Sequence, residues 1–309
     1  MKIAVIDLGT NTFNLLIAEV TGNSTIHILL STKEGVKLGE GGINKKFITE
    51  AAFQRGLDTV GRHMERLKPY QPDKVLAFAT SAIRDAANGK EFTDALKKLY
   101  HLEIKIISGD KEAELIYYGV KQTLSFSGKR FIILDIGGGS NEFIIANDEG
   151  ILWKRSFKLG MARLLERFQP SDPITSEEIL TIEQYLTNEL QELFVKVNKF
   201  KPEIFVGASG SFDSFVALLV SEGLLSPKNG NAIHSMPLEV YHQLHRKILQ
   251  STSAEREQMQ GLEPVRRDMI VLATIFVNFV LKKTGLTTMY QSGYSLKEGA
   301  VLDIANGKL

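Results

Sequence analysis

Residues Ile3–Ala18 read IAVIDLGTNTFNLLIA, and residues Ile132–Ala146 read IILDIGGGSNEFIIA. Aligning Asp7 with Asp135 also aligns a glycine, a hydroxyl residue and the final Ile-Ala of each segment. Each copy is an apolar run, then Asp-x-Gly, a few small polar residues and a second apolar run, which is typical of a β-hairpin with a tight turn. Such a turn can bind phosphate through backbone N–H groups, and the Asp beside it can hold a hydrated cation. The duplication predicts two related domains that face each other across a phosphate-binding cleft.

The composition indicates a soluble globular protein in which any polyanion site must be local. The chain has 309 residues, which suits two domains, with 43% hydrophobic and 24% charged residues. A net charge of +1 gives no general attraction to nucleic acid or membranes, and the absence of cysteine excludes disulfides and thiolate chemistry. The N-terminus has no signal-peptide pattern, and the longest apolar run, Met269–Leu281, is shorter than the ~20 residues that span a bilayer. We therefore expect a cytoplasmic protein.

Apolar strands alternate with amphipathic helices along the chain, which predicts an α/β architecture. Three antiparallel strands open it, and a turn at residues 21–24 joins the second to the third. Further along, apolar spacing predicts one long helix at Thr175–Asn198 and another at Val265–Lys283.

The composition changes near residues 125–129, where few apolar residues separate the two halves. We therefore predict domains at residues 1–125 and 126–309. The last helix, predicted within residues 296–309, is expected to pack back on the first domain.

Further segments, together with the hairpins, resemble one known family over nearly the whole chain. In order they are ATSAIRDAANG (Ala79–Gly89), ISGDKEAELIYYGV (Ile107–Val120), FKLGMARLLERF (Phe157–Phe168), VGASGS (Val206–Ser211), GLEPVRRDMI (Gly261–Ile270) and SLKEGAVLD (Ser295–Asp303). The chain resembles the exopolyphosphatase and guanosine-pentaphosphate phosphohydrolase (Ppx/GppA) family in its short two-domain form. The resemblance implies two ribonuclease-H-like domains of the actin, sugar-kinase and Hsp70 superfold with an interdomain cleft. It also implies a homodimer.

Asp7 and Asp135 are the candidate metal ligands. Carboxylate oxygens beside phosphate suit Mg²⁺, with Mn²⁺ as a substitute, and the lack of a His or Cys cluster argues against zinc. The alternative for each Asp is a side chain that only stabilises its turn.

The candidate phosphate-binding residues lie in loops rich in backbone N–H groups and hydroxyls, or carry a guanidinium. They are Gly9, Thr10, Asn11 and Thr12; Gly137, Gly138, Gly139 and Ser140; Gly207, Ser209 and Gly210; and Arg84 and Arg163. The alternatives are plain polar turns for the loops and a salt bridge to Asp85 for Arg84.

Glu112 and Glu142 are the catalytic candidates that the resemblance implies. Glu112 matches the Glu of the family's Ser-Gly-x-x-Glu-Ala segment and would position or deprotonate water, whereas Glu142 would orient water or metal. A carboxylate in a first helical turn is also favoured by the helix dipole, by about 0.3–1 kcal/mol. The chain departs from the family pattern at Lys111, Glu114 and Asn14, the last of which often is Arg.

The resemblance implies hydrolysis of terminal phosphoanhydride bonds of inorganic polyphosphate, or of guanosine pentaphosphate, with no nucleic-acid or membrane partner. Two other classes remain open from the residues alone. One is a sugar or acid kinase of the same superfold, and the other is a polyphosphate or alarmone sensor with little turnover.

Overall fold

The structure, a computed structural model, describes residues 1–22, 25–227 and 232–309. Its strands are β1 (Lys2–Leu8), β2 (Thr12–Thr21), β3 (Thr25–Gly35), β4 (Lys74–Ala79), β5 (Ile104–Ile106), β6 (Phe131–Ile136), β7 (Asn141–Ala146), β8 (Ile151–Phe157), β9 (Ile204–Ala208), β10 (Ile233–Ser235) and β11 (Met289–Ser292). The turn predicted at residues 21–24 lies in part outside the described residues.

The helices connect and cover these strands. They are α1 (Glu50–Leu67), α2 (Ser81–Asp85), α3 (Gly89–Tyr100), α4 (Gly109–Lys121), α5 (Met161–Phe168), α6 (Ser176–Glu189), α7 (Gln191–Phe200), α8 (Gly210–Ser221), α9 (Leu238–Gln250), α10 (Ser253–Gln258), α11 (Ile270–Thr284) and α12 (Leu296–Ala305). A short 3₁₀ helix covers Pro264–Arg266.

Each half of the chain forms one mixed sheet, and the two sheets share a strand order. The first runs β3-β2-β1-β4-β5, with β1 antiparallel to β2 and parallel to β4. The second runs β10-β11-β9-β6-β7-β8, with β6 antiparallel to β7 and parallel to β9. Read from β8, the second sheet repeats the first and adds β10 at its far edge. The predicted fold class of two ribonuclease-H-like halves is confirmed, and the duplication extends from the hairpins to the whole sheets.

Helices α4 and α12 lie between the two sheets in a hydrophobic core that both halves share. This core joins Val5 and Phe78 of the first sheet to Ile133 of the second. Helix α4 follows the first sheet but packs on β7 and β8, whereas α12 follows the second sheet but packs on β1 and β2. The two helices cross at backbone contact, since a Cβ on Gly299 would lie 1.8 Å from the Leu115 carbonyl oxygen. The two halves are therefore interlocked.

Two of the predicted helices are wrong in their bounds. The helix predicted at Thr175–Asn198 is divided into α6 and α7 at Leu190, whose φ of −100° and ψ of 14° lie outside the α-helical region. Leu190 is fully buried, so the break lets side chains from both helices enter one core. The helix predicted from Val265 begins instead at Ile270, because Pro264–Arg266 forms a separate 3₁₀ turn.

Candidate active site where the two hairpins meet

The loops of the two duplicated hairpins lie against each other between the two sheets. Each is closed by the same hydrogen bond, from Gly9 N to the Thr12 carbonyl at 3.1 Å and from Gly137 N to the Ser140 carbonyl at 3.0 Å. In the second loop, a Cβ on Gly139 would lie 2.5 Å from the Thr10 hydroxyl of the first loop. Glycine is therefore required at position 139 because the other hairpin packs closely against it, whether or not a ligand binds there.

Strand pairing places the two hairpins in the same register but with different chemistry. Asp7 pairs with Asn14 in the first hairpin, and Asp135 pairs with Glu142 in the second. Asn14 Nδ2 donates a hydrogen bond to Asp7 Oδ2 at 2.9 Å. Glu142 instead accepts a 2.6 Å hydrogen bond from the Ser156 hydroxyl and adds a second carboxyl group. The duplicated site is therefore asymmetric.

Four carboxylates line one cavity of about 80 Å³ between the loops: Asp7, Glu112, Asp135 and Glu142. Burial raises the pKa of Asp7 to about 6, although the Asn14 hydrogen bond lowers it. Burial raises the pKa of Asp135 to about 8, with Glu142 and Asp7 adding repulsion and a Ser295 hydrogen bond opposing it. Such a group of acids is electrostatically unfavourable without a cation, which is the pattern expected of a functional site.

Glu112 enters this cavity from the first turn of α4. Ser108 caps the helix by accepting a 3.1 Å hydrogen bond from the Lys111 backbone N–H, which fixes where the helix begins. Glu112 is 8% exposed, and its carboxylate accepts a 3.0 Å hydrogen bond from Arg84 Nη1. Burial raises the pKa of Glu112 well above its usual value, and Glu142 raises it further, whereas Arg84 lowers it. Arg84 therefore pairs with Glu112 and not with the neighbouring Asp85.

The residues present fit a hard divalent cation. Asp7 and Asp135 supply carboxylate oxygens from opposite loops, and burial raises the pKa of both, so a positive ion between them would relieve an existing charge imbalance. Among the described residues, no three or more His, Asp or Glu side chains form a complete metal cage. Mg²⁺ tolerates this arrangement, because it keeps several waters and takes few protein ligands.

Three hydroxyl candidates also line the cavity and are almost fully buried, namely Thr10, Thr12 and Ser140. Gly9, Asn11, Gly137, Gly138 and Gly139 complete the two loops that line it.

The third predicted loop is brought to the cavity only in part. Ser209 and Gly210 line it at the start of α8, and both have positive φ, of 59° and 42°. Gly207 lies inside β9, where a Cβ would meet the Phe212 ring at 2.1 Å, so its role is packing.

Arg163 does not line the cavity. Its guanidinium donates to the Gly139 carbonyl at 2.7 Å, the Ile43 carbonyl at 3.0 Å and the Asp85 carboxylate at 2.8 Å. These bonds join the two halves beneath the second loop. The geometry assigns Arg163 to holding that loop in place, with its Nε and both terminal nitrogens engaged by the protein.

Comparison with known proteins agrees with this geometry. Residues 16–307 match the model of the Ppx/GppA phosphatase family. The chain belongs to this family. The crystal structure of an exopolyphosphatase from Cytophaga hutchinsonii superposes with a TM-score of 0.96 at 35% identity, covering 99% of this chain and 98% of that one.

Relatives of two names occur among the similar sequences. Exopolyphosphatase 1 of Mycobacterium leprae is 26% identical over 98% of this chain and 89% of its own length. The guanosine-5′-triphosphate,3′-diphosphate pyrophosphatase of Photobacterium profundum is 27% identical over 97% of this chain but only 59% of its own length. Within the described residues of this Ppx/GppA member, no helix is long and apolar enough to cross a membrane.

Two cations at the cavity were not selected from the sequence. Arg266 and Lys297 both line it, from the 3₁₀ helix and from the first turn of α12. The Arg266 guanidinium lies against the third loop, 2.9 Å from where a Cβ on Gly210 would be. Burial alone would lower the pKa of Lys297, but Glu298, Asp213 and Asp7 raise it, so its charge is retained. Both residues fall in segments that resemble the family, which was the available signal.

Proposed function

We propose that this protein hydrolyses the terminal phosphoanhydride bond of inorganic polyphosphate and releases orthophosphate, using Mg²⁺ and a water positioned by Glu112. The observation that carries the proposal is the meeting of four carboxylates beside two glycine turns from opposite halves: Asp7, Glu112, Asp135 and Glu142. Phosphoanhydride hydrolysis needs phosphate clamps, a cation and a positioned water. This cavity offers residues for each of the three.

Glu112 is the group that we assign to the water. In the proposed step the water oxygen bonds to the terminal phosphorus, Glu112 accepts the water proton, and the bridging P–O bond breaks with its electrons on the shortened chain. The raised pKa of Glu112 makes its carboxylate a stronger base than an ordinary Glu. Arg84 holds this carboxylate toward the cavity, and Glu142 on β7 orients the water from the other half.

Asp7 and Asp135 would hold Mg²⁺, directly or through water. A bound Mg²⁺ would neutralise charge on the phosphate oxygens. The buried hydroxyls of Thr10, Thr12 and Ser140 can donate hydrogen bonds to the phosphates, as can the amides of both loops.

Guanosine pentaphosphate is the second candidate substrate. It also ends in a phosphoanhydride, and the Photobacterium profundum relative is named for a guanosine substrate. The same carboxylates and clamps would serve the same bond cleavage, so the chemistry is shared and the two substrates differ in what lies beyond the terminal phosphates.

The test is phosphate release from long-chain polyphosphate, tripolyphosphate, guanosine pentaphosphate and ATP, each with Mg²⁺ and with EDTA. We expect Mg²⁺-dependent release from polyphosphate, with Mn²⁺ able to replace Mg²⁺. Release from guanosine pentaphosphate alone would favour the second substrate. Binding of all four without release would favour a sensor, and ATP loss that requires an added sugar or acid would favour a kinase.

A further inference from the structure

Four charged residues form two ion pairs between the halves, and we call them the clasp: Lys33, Lys37, Glu263 and Asp268. Lys33 Nζ lies 2.7 Å from Glu263 Oε2, and Lys37 Nζ lies 3.6 Å from Asp268 Oδ2. Glu263 Oε2 also lies 3.4 Å from Nε of Arg266, which lines the inner cavity. The lysines belong to the first half and the acids to the segment before α11 in the second half. The clasp therefore joins the two halves.

Two neighbouring cavities that share wall residues lie between the inner cavity and the clasp, with the contact of Asn11 Nδ2 to Met269 Sδ at 2.8 Å beside the inner one. Asn11 lines both the inner cavity and a passage of about 170 Å³. Lys37 and Glu40 line both that passage and an outer cavity of about 620 Å³, in which Lys33 and Glu263 also lie. A linear chain that followed these cavities outward from the four inner carboxylates would pass the clasp.

The path is not positively charged, although it would have to hold a polyanion. The passage is lined by three acids, Glu40, Glu166 and Asp268, against one lysine, Lys37. In the outer cavity, Lys33 is already paired with Glu263. Arg55 in the same cavity is paired with Glu40 at 2.7 Å. Each cation that a distal phosphate would meet has an acid of the protein beside it.

We propose that Glu263 and Asp268 act as a chain-length filter: they occupy Lys33 and Lys37 and repel the distal phosphates of a long linear phosphoanhydride. This inference rests on the proposed function for its substrate class. A short chain fits within the inner cavity and the passage and does not compete for the clasp. A long chain must displace two acids and then lie beside them, so its extra phosphates bring no gain in affinity.

The test compares the affinity of long-chain polyphosphate with that of tripolyphosphate, on a per-chain basis. Dissociation constants are measured with Mg²⁺ at low salt on a Glu112→Gln background, so that bound chains persist, in Glu263→Gln, Asp268→Asn and the control Glu257→Gln. Glu257 carries the same charge and is also exposed and paired, with Arg267 at 3.0 Å, but it lines none of these three cavities. Thermal melting checks that every variant is folded.

We expect the Glu112→Gln protein with an intact clasp to bind long chains no more tightly than it binds tripolyphosphate. Each clasp variant should improve the long-to-short affinity ratio by about threefold, since exposed ion pairs are worth up to about 1 kcal/mol. Glu263→Gln also frees Arg266 of the inner cavity, so it should in addition tighten the binding of both chains. The gain should shrink at high salt, and Glu257→Gln should leave the ratio unchanged. A ratio in Glu263→Gln and Asp268→Asn equal to that in Glu257→Gln would overturn the filter, as would tighter binding of long chains with the clasp intact.

Phosphate release by the otherwise unmodified protein is measured separately. Its absence for every substrate, with the affinity ratio shifted as expected, would remove the proposed function and leave the filter standing. Release from tripolyphosphate with an unshifted affinity ratio would support the proposed function and overturn the filter.

Discussion

At the scale of single residues, the position paired with the aspartate carries a different chemical group in each copy of the duplicated hairpin. Asn14 lies beside Asp7 and donates a hydrogen bond to it, whereas Glu142 lies beside Asp135 and repels it. The pKa of Asp7 is accordingly raised to about 6 and that of Asp135 to about 8, burial being the main cause of both. The pKa of the aspartate beside the amide is therefore raised less than that of the aspartate beside the carboxyl group.

This asymmetry predicts the pH dependence of stability without Mg²⁺. Burial raises the pKa of Asp135 and Glu142, so their protonated forms are favoured in the folded state. Their stabilising effect is fully present below the ordinary carboxyl pKa of about 4 and falls as pH rises, and the part that Asp135 contributes is lost as pH passes about 8. We expect Glu142→Gln to make the fall in the free energy of unfolding between pH 5 and pH 8 shallower, as measured by urea unfolding in EDTA. An unchanged slope would contradict the assignment.

The sequence located the four cavity carboxylates but not all of their partners. Asp7 and Asp135 follow from the repeat, and Glu112 and Glu142 from the family pattern. The sequence did not reveal that Arg163 bonds to Asp85 and Ile43, because both come from the other half of the chain. Such long-range contacts leave no periodic signal in the sequence.

At the scale of elements, the crossing of α4 and α12 is the most constrained contact. A Cβ on Gly119 would lie 2.0 Å from the Ser295 carbonyl oxygen, and one on Gly299 would lie 1.8 Å from that of Leu115. Lys111 of α4 also bonds at 2.8 Å to Asp303 of α12, which is 2% exposed. Lys111, which departs from the family pattern, therefore has its positive charge paired with Asp303 outside the cavity.

The crossing predicts that Gly299→Ala destabilises the protein even though alanine favours helices. Overpacking at backbone contact should lower the free energy of unfolding by about 1–3 kcal/mol, more than the helix-propensity gain of about 1 kcal/mol. Gly22→Ala is the control, since a Cβ there meets nothing within 4 Å. Denaturant unfolding measures both, and a Gly299→Ala variant as stable as the parent would show that the helices are not in contact as described.

Strand and helix positions followed largely from apolar spacing, whereas breaks within helices did not. The spacing around Leu190 continues smoothly through α6 and α7, so nothing in it marks the break. The start of α11 was missed because a 3₁₀ turn at Pro264–Arg266 keeps a helix-like spacing.

At the scale of the molecule, the duplication includes the helices as well as the sheets. Helix α4 follows β5, the last strand of the first sheet's repeat, and α12 follows the equivalent β11. Each begins at a serine, Ser108 or Ser295, and each projects a charged residue of its first turn into the cavity, Glu112 or Lys297. The two halves thus present a carboxyl group and an ammonium group from equivalent helices. The hairpins alone did not reveal this.

The central claim is that the cavity between the halves cleaves phosphoanhydride bonds with Glu112 as the base. The most direct measurement is phosphate release from tripolyphosphate with Mg²⁺ by the parent protein, Glu112→Gln and Glu114→Gln. Glu114 lies on the same helix but outside the cavity, paired with Lys111 and Lys154, so it is the matched control. We predict that Glu112→Gln lowers kcat at least about a hundredfold with little change in affinity, whereas Glu114→Gln keeps most of the activity. Equal activity in the two variants would contradict the account.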